Sequence, residues 1–498
     1  MKRLQTFIWA ALAVSAVSCN YGIPDSDYKT LAPIEIVAEQ NVYAKQGMEF
    51  VFNYEVKSDL DVSYEWCYGP INGTFPLMRD STVISHTREI NYTFSVPGNY
   101  VLRLKADNGE SCVFKYFNFT VQAGFDRGIM VLTEDEQGNG SLGFIKYRTP
   151  QEIADNEPYI WDDILKTLNP EMELKNPTDI YMTSYNDTKA LIIGARNPAR
   201  IYKFNPATVE LESVQKMDEE YPGSEPLRFI GEYAASADYY CFVVSSDTYV
   251  YRYDFFADLV GLRSNTMAPV TKGYQGYDGG SSNSSRKSFL YSDTHILYPA
   301  SSAKEYAAPD TLKIVNMAYM RTTSATKKLN IILQSRQFPH LYYTRNGTTS
   351  LGSSVNNTGG RFVANGEVAL DEHSIMVTTA TNQYAYYNYK DKIYRWDVTN
   401  LSDVNVTIPL VNDYQKKPDG SSMIPEGEQI CDMNNFANYA DVSQNTEDTK
   451  LIVATYNPNR PGDKKGSVYV FDLTDNSLIE SYEGCFDKPV KVRYKYPI

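Results

Sequence analysis

A five-residue pattern recurs in this 498-residue chain and strongly limits how the part after residue 125 can fold. Each copy has a β-branched residue, a tyrosine, any residue, an aromatic residue, and then Asp or Asn. Clear copies occupy 201–205, 250–254, 393–397 and 468–472, and weaker copies occupy 144–147 and 341–346. Alternating β-branched and aromatic residues favour a strand, and the Asp or Asn starts a turn by bonding its own backbone. The pattern therefore predicts a series of strands that end in tight turns.

The spacing of the copies predicts the architecture that these strands form. The first two clear copies start 49 residues apart, and the next starts 143 residues later, close to three such units. An apolar run precedes each copy and is expected to be its neighbouring strand; these runs are 189–194, 240–244, 374–378 and 450–454. Repeats of this length built from strands are typical of β-propeller blades. We expect an all-β chain with a propeller of about seven blades over 125–498, six or eight being the alternatives, and one helix at 159–168.

Residues 30–123 predict a separate β-sandwich. Short alternating runs are separated by polar or Gly/Pro turns, and Trp66 lies where such sandwiches bury a tryptophan. In the segment 96–109, a Pro-Gly turn leads into a strand, and Asn108-Gly109 then supplies a left-handed hairpin turn. This segment resembles the PKD repeat, an immunoglobulin-like module. The resemblance implies a spacer or adhesive domain that presents the rest of the chain.

The N-terminus carries the pattern of an export signal. A positive start is followed by the apolar run Phe7–Val17 and by small residues before Cys19. This resembles the lipobox of bacterial lipoproteins, which implies that residues 1–18 are removed and that Cys19 is lipidated. Residues 19–29 would form a tether, in which Asp25 and Asp27 resemble the surface-export signal of Bacteroidota lipoproteins. The alternative is an ordinary secretory signal in which Cys19 is incidental.

The whole arrangement resembles the PKD-like lipoproteins of Bacteroidota, whose genes lie beside those of SusC/SusD-type uptake systems. The resemblance implies a lipid-anchored protein of the outer membrane, exposed at the cell surface, that serves a SusC/SusD-type transporter complex. Its expected role is to bind a peptide or oligosaccharide ligand. Two alternatives remain open: a propeller hydrolase or lyase that acts on glycans or peptides, and a purely structural subunit.

Charge and cysteine usage restrict the partners and the covalent framework. The net charge is −14, so phosphate backbones would repel the chain and nucleic acid is a poor partner. Apart from Cys19, the five cysteines are widely scattered and do not form a disulfide framework. Cys67 and Cys112 could pair within the sandwich, or both could be buried free thiols.

The sequence nominates no catalytic residue, metal site or cofactor. It contains neither HExxH nor Gly-x-Ser-x-Gly, and its four histidines are scattered. A formal GxGxxG at 138–143 is followed by a further strand and not by a helix, so it predicts a hairpin loop. The same loop resembles a calcium loop faintly, but Lys146 stands where the twelfth-position acid is needed.

Two tyrosine-rich segments are the candidates for ligand binding. In the first, Tyr384, Tyr386 and Asn388 would share one face of a strand, where aromatic rings beside an amide could grip a sugar or peptide. The alternative is a tyrosine ladder that covers a blade edge. In the second, Tyr274 and Tyr277 lie in a glycine-rich segment, 273–280, which is expected to be either a loop that closes on a ligand or a linker.

Overall fold

The protein is represented by a computed structural model, which divides into two compact units, Met1–Gln122 and Ala123–Ile498. The residues that it describes are 30–71, 80–185, 188–231, 240–264, 269–277, 286–298, 304–321, 327–347, 361–363, 370–378, 384–397, 406–407, 422–436 and 449–496. Cys19 and the expected signal peptide and tether lie outside them. No helix in these ranges is long and apolar enough to cross a membrane.

The N-terminal unit is built from strands. Its elements are β1 Glu35–Val37, β2 Asn41–Lys45, β3 Glu49–Phe50, β4 Glu55–Lys57, β5 Ser63–Pro70, β6 Thr82–Ser85, β7 Tyr92–Thr93, β8 Gly98–Asp107 and β9 Cys112–Gln122. Five of them form a sheet in the order β2-β9-β8-β5-β6, in which β2 runs parallel to β9. The pairs β1–β4 and β3–β7 are separate two-stranded sheets.

Apolar side chains from the large sheet and the two small pairs form one core. Trp66, Leu102 and Phe117 from the large sheet pack in the same cluster as Phe50 of β3, while Val56 of β4 packs against it. The large-sheet members alternate along their strands with more exposed residues, which is the period of a sheet with one buried face.

The hairpin predicted at Asn108-Gly109 is confirmed. β8 and β9 pair antiparallel across it, and Gly109 has a φ of 83°, a left-handed conformation that glycine adopts without strain. Of the two cysteines in the described part of this unit, Cys67 is buried, Cys112 is exposed, and both are free thiols. The open question of their pairing is therefore answered in favour of free thiols.

The C-terminal unit contains seven sheets in its described part. Sheet 1 has β10 Gly128–Glu134, β11 Gly140–Lys146, β12 Ile160–Trp161 and β37 Lys488–Lys495; sheet 2 has β13 Pro177–Tyr185, β14 Thr188–Ala195, β15 Arg200–Phe204 and β16 Leu211–Lys216; sheet 3 has β17 Pro226–Gly231, β18 Tyr240–Ser245, β19 Val250–Asp254 and β20 Leu259–Ser264; sheet 4 has β21 Lys272–Tyr277, β22 Arg286–Tyr291, β23 His295–Tyr298 and β24 Lys304–Ala307. Sheet 5 has β25 Leu312–Arg321, β26 Lys327–Ser335, β27 Leu341–Gly347, β28 Arg361–Val363 and β32 Val406–Thr407; sheet 6 has β29 Met376–Thr378, β30 Tyr384–Tyr389 and β31 Lys392–Asp397; sheet 7 has β33 Gln429–Asn435, β34 Lys450–Tyr456, β35 Gly466–Asp472 and β36 Leu478–Phe486. Short helices are α1 Pro150–Ala154, α2 Ile164–Leu168 and α3 Met217–Glu220.

One edge strand from each of the seven sheets takes part in a closed ring. We call β13, β17, β21, β25, β29, β33 and β37 the inner strands. Each contacts the inner strand of the next sheet, and β37 contacts both β33 and β13. Because β37 pairs with β10, the last strand of the described chain occupies the inner position of the first sheet. This closure makes the unit β-propeller-like, as the repeat predicted.

The repeated pattern marks the same strand of each sheet. Its clear copies form β15, β19, β31 and β35, each third from the inside, and the weaker copies contribute to β11 and β27, which are also third. The β-branched and second aromatic positions are buried, as Ile201 and Phe204 show. Sheet 4 has β23 in this place, whose sequence lacks the pattern, and this accounts for part of the long 143-residue gap.

Two local predictions need correction. The run 374–378 was expected beside the 393–397 strand, but β30 lies between them, and β29 is an inner strand. The helix predicted at 159–168 is confined to Ile164–Leu168, because residues 160–161 pair with β11 as β12. The Asp163 carboxylate caps the helix by accepting hydrogen bonds from the backbone N–H groups of Leu165 and Lys166.

Candidate functional site: a cavity inside the ring

The inner strands enclose a cavity of about 210 Å³. Its wall is built from residues on or beside six of the seven inner strands, β13, β17, β21, β29, β33 and β37. Apolar side chains such as Ile230 and Val377 alternate there with charged and amide side chains. A concave site with a few convergent polar groups is the usual form of a ligand site.

Five inner strands place a polar residue directly after a β-bulge, and on β37 that residue is Lys491. A β-bulge near the start of β13, β17, β25 and β33 is followed directly by Asp179, Arg228, Asn316 and Asp432 respectively. A bulge inserts one extra residue and re-aims the side chains next to it. We refer to these four positions as the post-bulge residues.

Three post-bulge residues fasten their sheet to the next one. The Phe229 N–H donates to Asp179 Oδ2 at 2.9 Å, and the Val492 N–H donates to Asp432 Oδ2 at 3.0 Å. Asn316 Nδ2 donates to the Ser374 carbonyl at 2.8 Å. All three side chains are buried, and their hydrogen bonds satisfy backbone groups between adjacent sheets.

The two carboxylates also clasp the strand that closes the ring. Arg493 on β37 reaches Asp432 Oδ2 through one terminal nitrogen and Asp179 Oδ1 through the other, both at 3.3 Å. Lys491 Nζ lies 3.1 Å from Asp432 Oδ1. We call Asp179, Asp432, Lys491 and Arg493 the closure clasp, because it ties β37 to the inner strands on both sides.

Arg228, the fourth post-bulge residue, behaves differently. It is partly buried and lines the cavity, yet its guanidinium makes no hydrogen bond or ion pair with any described residue. Its charge acts on two neighbouring lysines. Burial lowers the pKa of Lys272 to about 8, and Arg228 adds to this effect while Glu372 opposes it. Burial also lowers the pKa of Lys491, where Asp432 opposes the shift and Arg228 again adds to it. Arg228 is therefore a cation of the described wall that no described carboxylate pairs with.

Of the residues predicted from the sequence, Tyr274 lies in this cavity wall. It belongs to β21, so the segment 273–280 begins as an inner strand, and the expectation of a loop is wrong over Gly273–Tyr277. The side chain of Tyr277 and residues 278–280 lie outside the described part. Gln275 lines the cavity on the same strand. Gly273 allows close approach of β17, since a Cβ there would lie 2.2 Å from Ile230 Cγ1.

The segment around Tyr386 is a strand whose central side chains are buried. Tyr386 is completely buried, and Asn388 is 7% exposed with its side-chain oxygen accepting the Ile375 N–H at 2.7 Å. Tyr384 stacks under the Arg395 guanidinium, 4.3 Å from the ring centre. The expectation that these residues grip a ligand is therefore wrong for Tyr386 and Asn388, whose side chains are buried, and it stays a prediction for the half-buried Tyr384.

A second concavity lies among residues of sheets 1 and 7 and the loops beside them, and two of its lysines are paired with carboxylates of the same wall. Lys464 lies 2.6 Å from Asp487, and Lys465 lies 3.4 Å from Glu136. The glycine-rich run 138–143 is the predicted hairpin between β10 and β11. Its Asp135 carboxylate accepts hydrogen bonds from Asn139 and Gln137, so it is engaged within the loop. The described residues contain no group of three or more metal-ligating side chains placed to hold an ion.

The sequence did not reveal Arg228 or the closure clasp. Their signal was a single polar residue inside a short apolar run, as in Leu227-Arg228-Phe229-Ile230. Such a residue marks a bulge only when the pairing of its strand is known. Arg493 and Asp179 are 314 residues apart, so their contact depends on ring closure.

Comparison with known proteins gives distant structural similarities. No family model and no curated protein matches the chain. A quinonprotein alcohol dehydrogenase-like protein from Bacteroides thetaiotaomicron aligns over 92% of this chain and 96% of its own, with 12% identity and a TM-score of 0.49. AztD from Citrobacter koseri aligns over 87% and 97%, with 12% identity and a TM-score of 0.34. A DUF4784 family protein from Bacteroides caccae aligns over 94% and 100%, with 8% identity and a TM-score of 0.30. These similarities are too weak to assign an activity or a family to this chain.

Proposed function

We propose that this chain is a non-enzymatic binding protein whose ligand occupies the cavity inside the ring. The observation that carries this proposal is the unpaired guanidinium of Arg228 beside Tyr274 in a cavity whose other charged groups are bonded to one another. A charged group left without a partner at the wall of a cavity is available to a ligand. The surrounding sheets form a rigid frame for that contact.

The same cavity argues against the hydrolase or lyase alternative. Glycoside cleavage needs two carboxyl groups that contact the substrate from either side of the bond. Asp432, the carboxylate among the described lining residues, is 2% exposed, and Asp179 beside it is 0% exposed; both are held in the closure clasp. Both already accept a backbone N–H from a neighbouring strand. Their surroundings fit a structural role, and binding without bond breaking is the function that the cavity favours.

The proposal extends to the architecture and the cellular setting. The seven sheets of the C-terminal unit would be seven blades of a propeller, and the N-terminal unit would be a PKD-like spacer. The N-terminal sequence supports a lipid anchor on Cys19 that holds the protein on the outer surface of the outer membrane. There it would pass peptides or oligosaccharides to a SusC/SusD-type transporter.

Binding and turnover can be separated with the purified mature chain. We expect the protein to retain members of a panel of peptides and oligosaccharides, with every ligand recovered unchanged by mass spectrometry. Turnover that disappears on a single Asp or Glu substitution would contradict the proposal. Retention of no ligand, together with co-purification of a SusC/SusD pair, would favour the purely structural subunit. For the anchor, wild-type protein should partition with membranes and Cys19→Ala should not.

A further inference from the structure

We infer that the cavity receives the carboxylate of a ligand's terminal unit, with Arg228 as its counter-charge. This inference rests on the proposed binding function and names the chemical group that the site selects. The ligand would be an oligomer with an acidic end, either a peptide with a free C-terminus or a glycan with a terminal uronic acid. Both sources present the same planar, singly charged group.

The first step is the sign of the charge that the site can accept. Among the described residues of the cavity wall, Arg228 is the cation that has no partner. Its charge also raises the positive potential at Lys272 and Lys491. A carboxylate that enters beside Arg228 would offset this potential. An amine or a guanidinium there would add to it. Partly desolvated charges interact more strongly than charges in water, so the preference is for an anion.

The second step is the number of charges. The other cations of the described wall are already engaged: Lys491 and Arg493 are paired with Asp432, and Arg493 also reaches Asp179. Lys272, which does not line the cavity, donates to the Glu372 carbonyl. One uncommitted positive charge matches one negative charge. A phosphate dianion would leave a negative charge unmatched. The fork of N–H donors on a guanidinium also fits the two oxygens of a carboxylate.

The third step is size. The cavity measures about 210 Å³, which is below the ~300 Å³ at which pockets for drug-sized ligands begin. A single sugar ring or one amino acid residue is the scale of group that such a space admits. Tyr274 and Gln275 on the adjacent inner strand add an aromatic side chain and an amide to the same wall. The site is therefore suited to the end of a chain, with the remainder of the oligomer outside.

Matched probes test this inference. D-glucuronate is compared with D-glucose, and the tripeptide Ala-Ala-Tyr is compared with its C-terminal amide, by calorimetric titration of the full mature protein. We expect the acidic member of at least one pair to bind about tenfold more tightly or better, because only that member can accept charge-assisted hydrogen bonds from the guanidinium. The pair that shows the difference identifies the source of the carboxylate.

Variants assign the effect to Arg228. Arg228→Gln should abolish the preference for the acidic probe, and Arg228→Lys should keep part of it. Arg336→Gln, which removes an exposed ion pair with Asp293 and a hydrogen bond to the Leu312 carbonyl, is the control outside the cavity and should show the probe preference of wild type. If Arg228→Gln does not fold, Arg228→Lys and the wild-type pairs still decide the question.

The failures of the two proposals are distinguishable. Equal affinity for the acidic and neutral probes, an unchanged preference in Arg228→Gln, or tighter binding of inorganic phosphate would overturn the carboxylate inference alone. Chemical conversion of a probe would overturn the non-enzymatic function, and the absence of binding by every probe would overturn both.

Discussion

Two regions of the same ring use an equivalent strand position for different purposes. On the two sides of β37, Asp179 and Asp432 are buried, bond the backbone of the next sheet, and pair with cations on β37. On β17, the next inner strand after β13, Arg228 follows the same kind of bulge but has no partner among the described residues. A repeated fold can therefore use one position to hold the ring together in some sheets and leave it without a partner in another, where we propose that the ligand binds. The difference lies in whether neighbouring inner strands supply hydrogen-bond or ion-pair partners for the side chain.

The largest expected effect comes from breaking the clasp. Arg493→Ala leaves Asp179 and Asp432 buried without the cation that bridges them, and removing one partner of a buried pair costs about 3–5 kcal/mol. Urea unfolding would measure this loss in the free energy of unfolding. The control is Arg336→Ala, whose ion pair with Asp293 is exposed and should contribute less than about 1 kcal/mol. Similar small losses in both variants would show that the clasp does not stabilise the ring.

A smaller loss of stability is expected where the inner strands β17 and β21 approach each other closely. In Gly273→Ala, the new Cβ would lie 2.2 Å from Ile230 Cγ1, and forcing this contact should cost about 1–3 kcal/mol. Gly261→Ala is the matched control, because no atom lies within 4 Å of a Cβ at that position. The difference in thermal midpoint between the two variants measures the cost. Equal midpoints would mean that β17 and β21 are not packed as described.

A pH-dependent effect is expected from a buried lysine on the closing strand. Burial lowers the pKa of Lys495 to about 8, although Asp126 opposes the shift. Above that pH, the unfolded chain holds a proton on this lysine that the folded chain has lost. Stability should therefore rise from about pH 8 towards pH 10, by at most ~1.4 kcal/mol per pH unit. Lys495→Met should lose much of this rise in urea unfolding measured across the range. A rise of unchanged slope in the variant would contradict the assignment.

The smallest change in stability is expected at Arg228, the post-bulge residue that has no partner in the described structure. Because Arg228 has no partner in the described structure, Arg228→Gln should alter the free energy of unfolding by less than about 1 kcal/mol. A loss as large as that of Arg493→Ala would show that Arg228 is a structural member of the ring, and the comparison between the two regions would collapse. Urea unfolding of both variants under one set of conditions gives the answer.

The sequence predicted the parts of this molecule that depend on local pattern. The residues of the recurring pattern fix a strand and its turn by themselves, so β15, β19, β31 and β35 were found correctly. The hairpin at Asn108-Gly109 was found for the same reason. Tyr386 of β30 was misread because alternation on a strand does not reveal what covers each face. In a ring of sheets both faces of a sheet meet neighbouring sheets, so Tyr386 is buried.

The cavity chemistry could not be predicted because it depends on contacts between distant parts of the chain. Asp432 meets Lys491 and Arg493 only because β37 returns to the first sheet. The difference between Asp179 and Arg228 is likewise a difference in neighbours, since both follow a bulge in a similar apolar run. Tyr274 was nominated from its composition, but its place in the cavity wall follows from the strand that contains it.

A crystal structure of the mature chain grown with an acidic probe would test the central claim most directly. The account predicts a ring closed by β37, the clasp intact, and the probe's carboxylate within hydrogen-bond distance of the Arg228 guanidinium. A ring that does not close at β37, or an Arg228 side chain paired with a carboxylate of the protein, would contradict it.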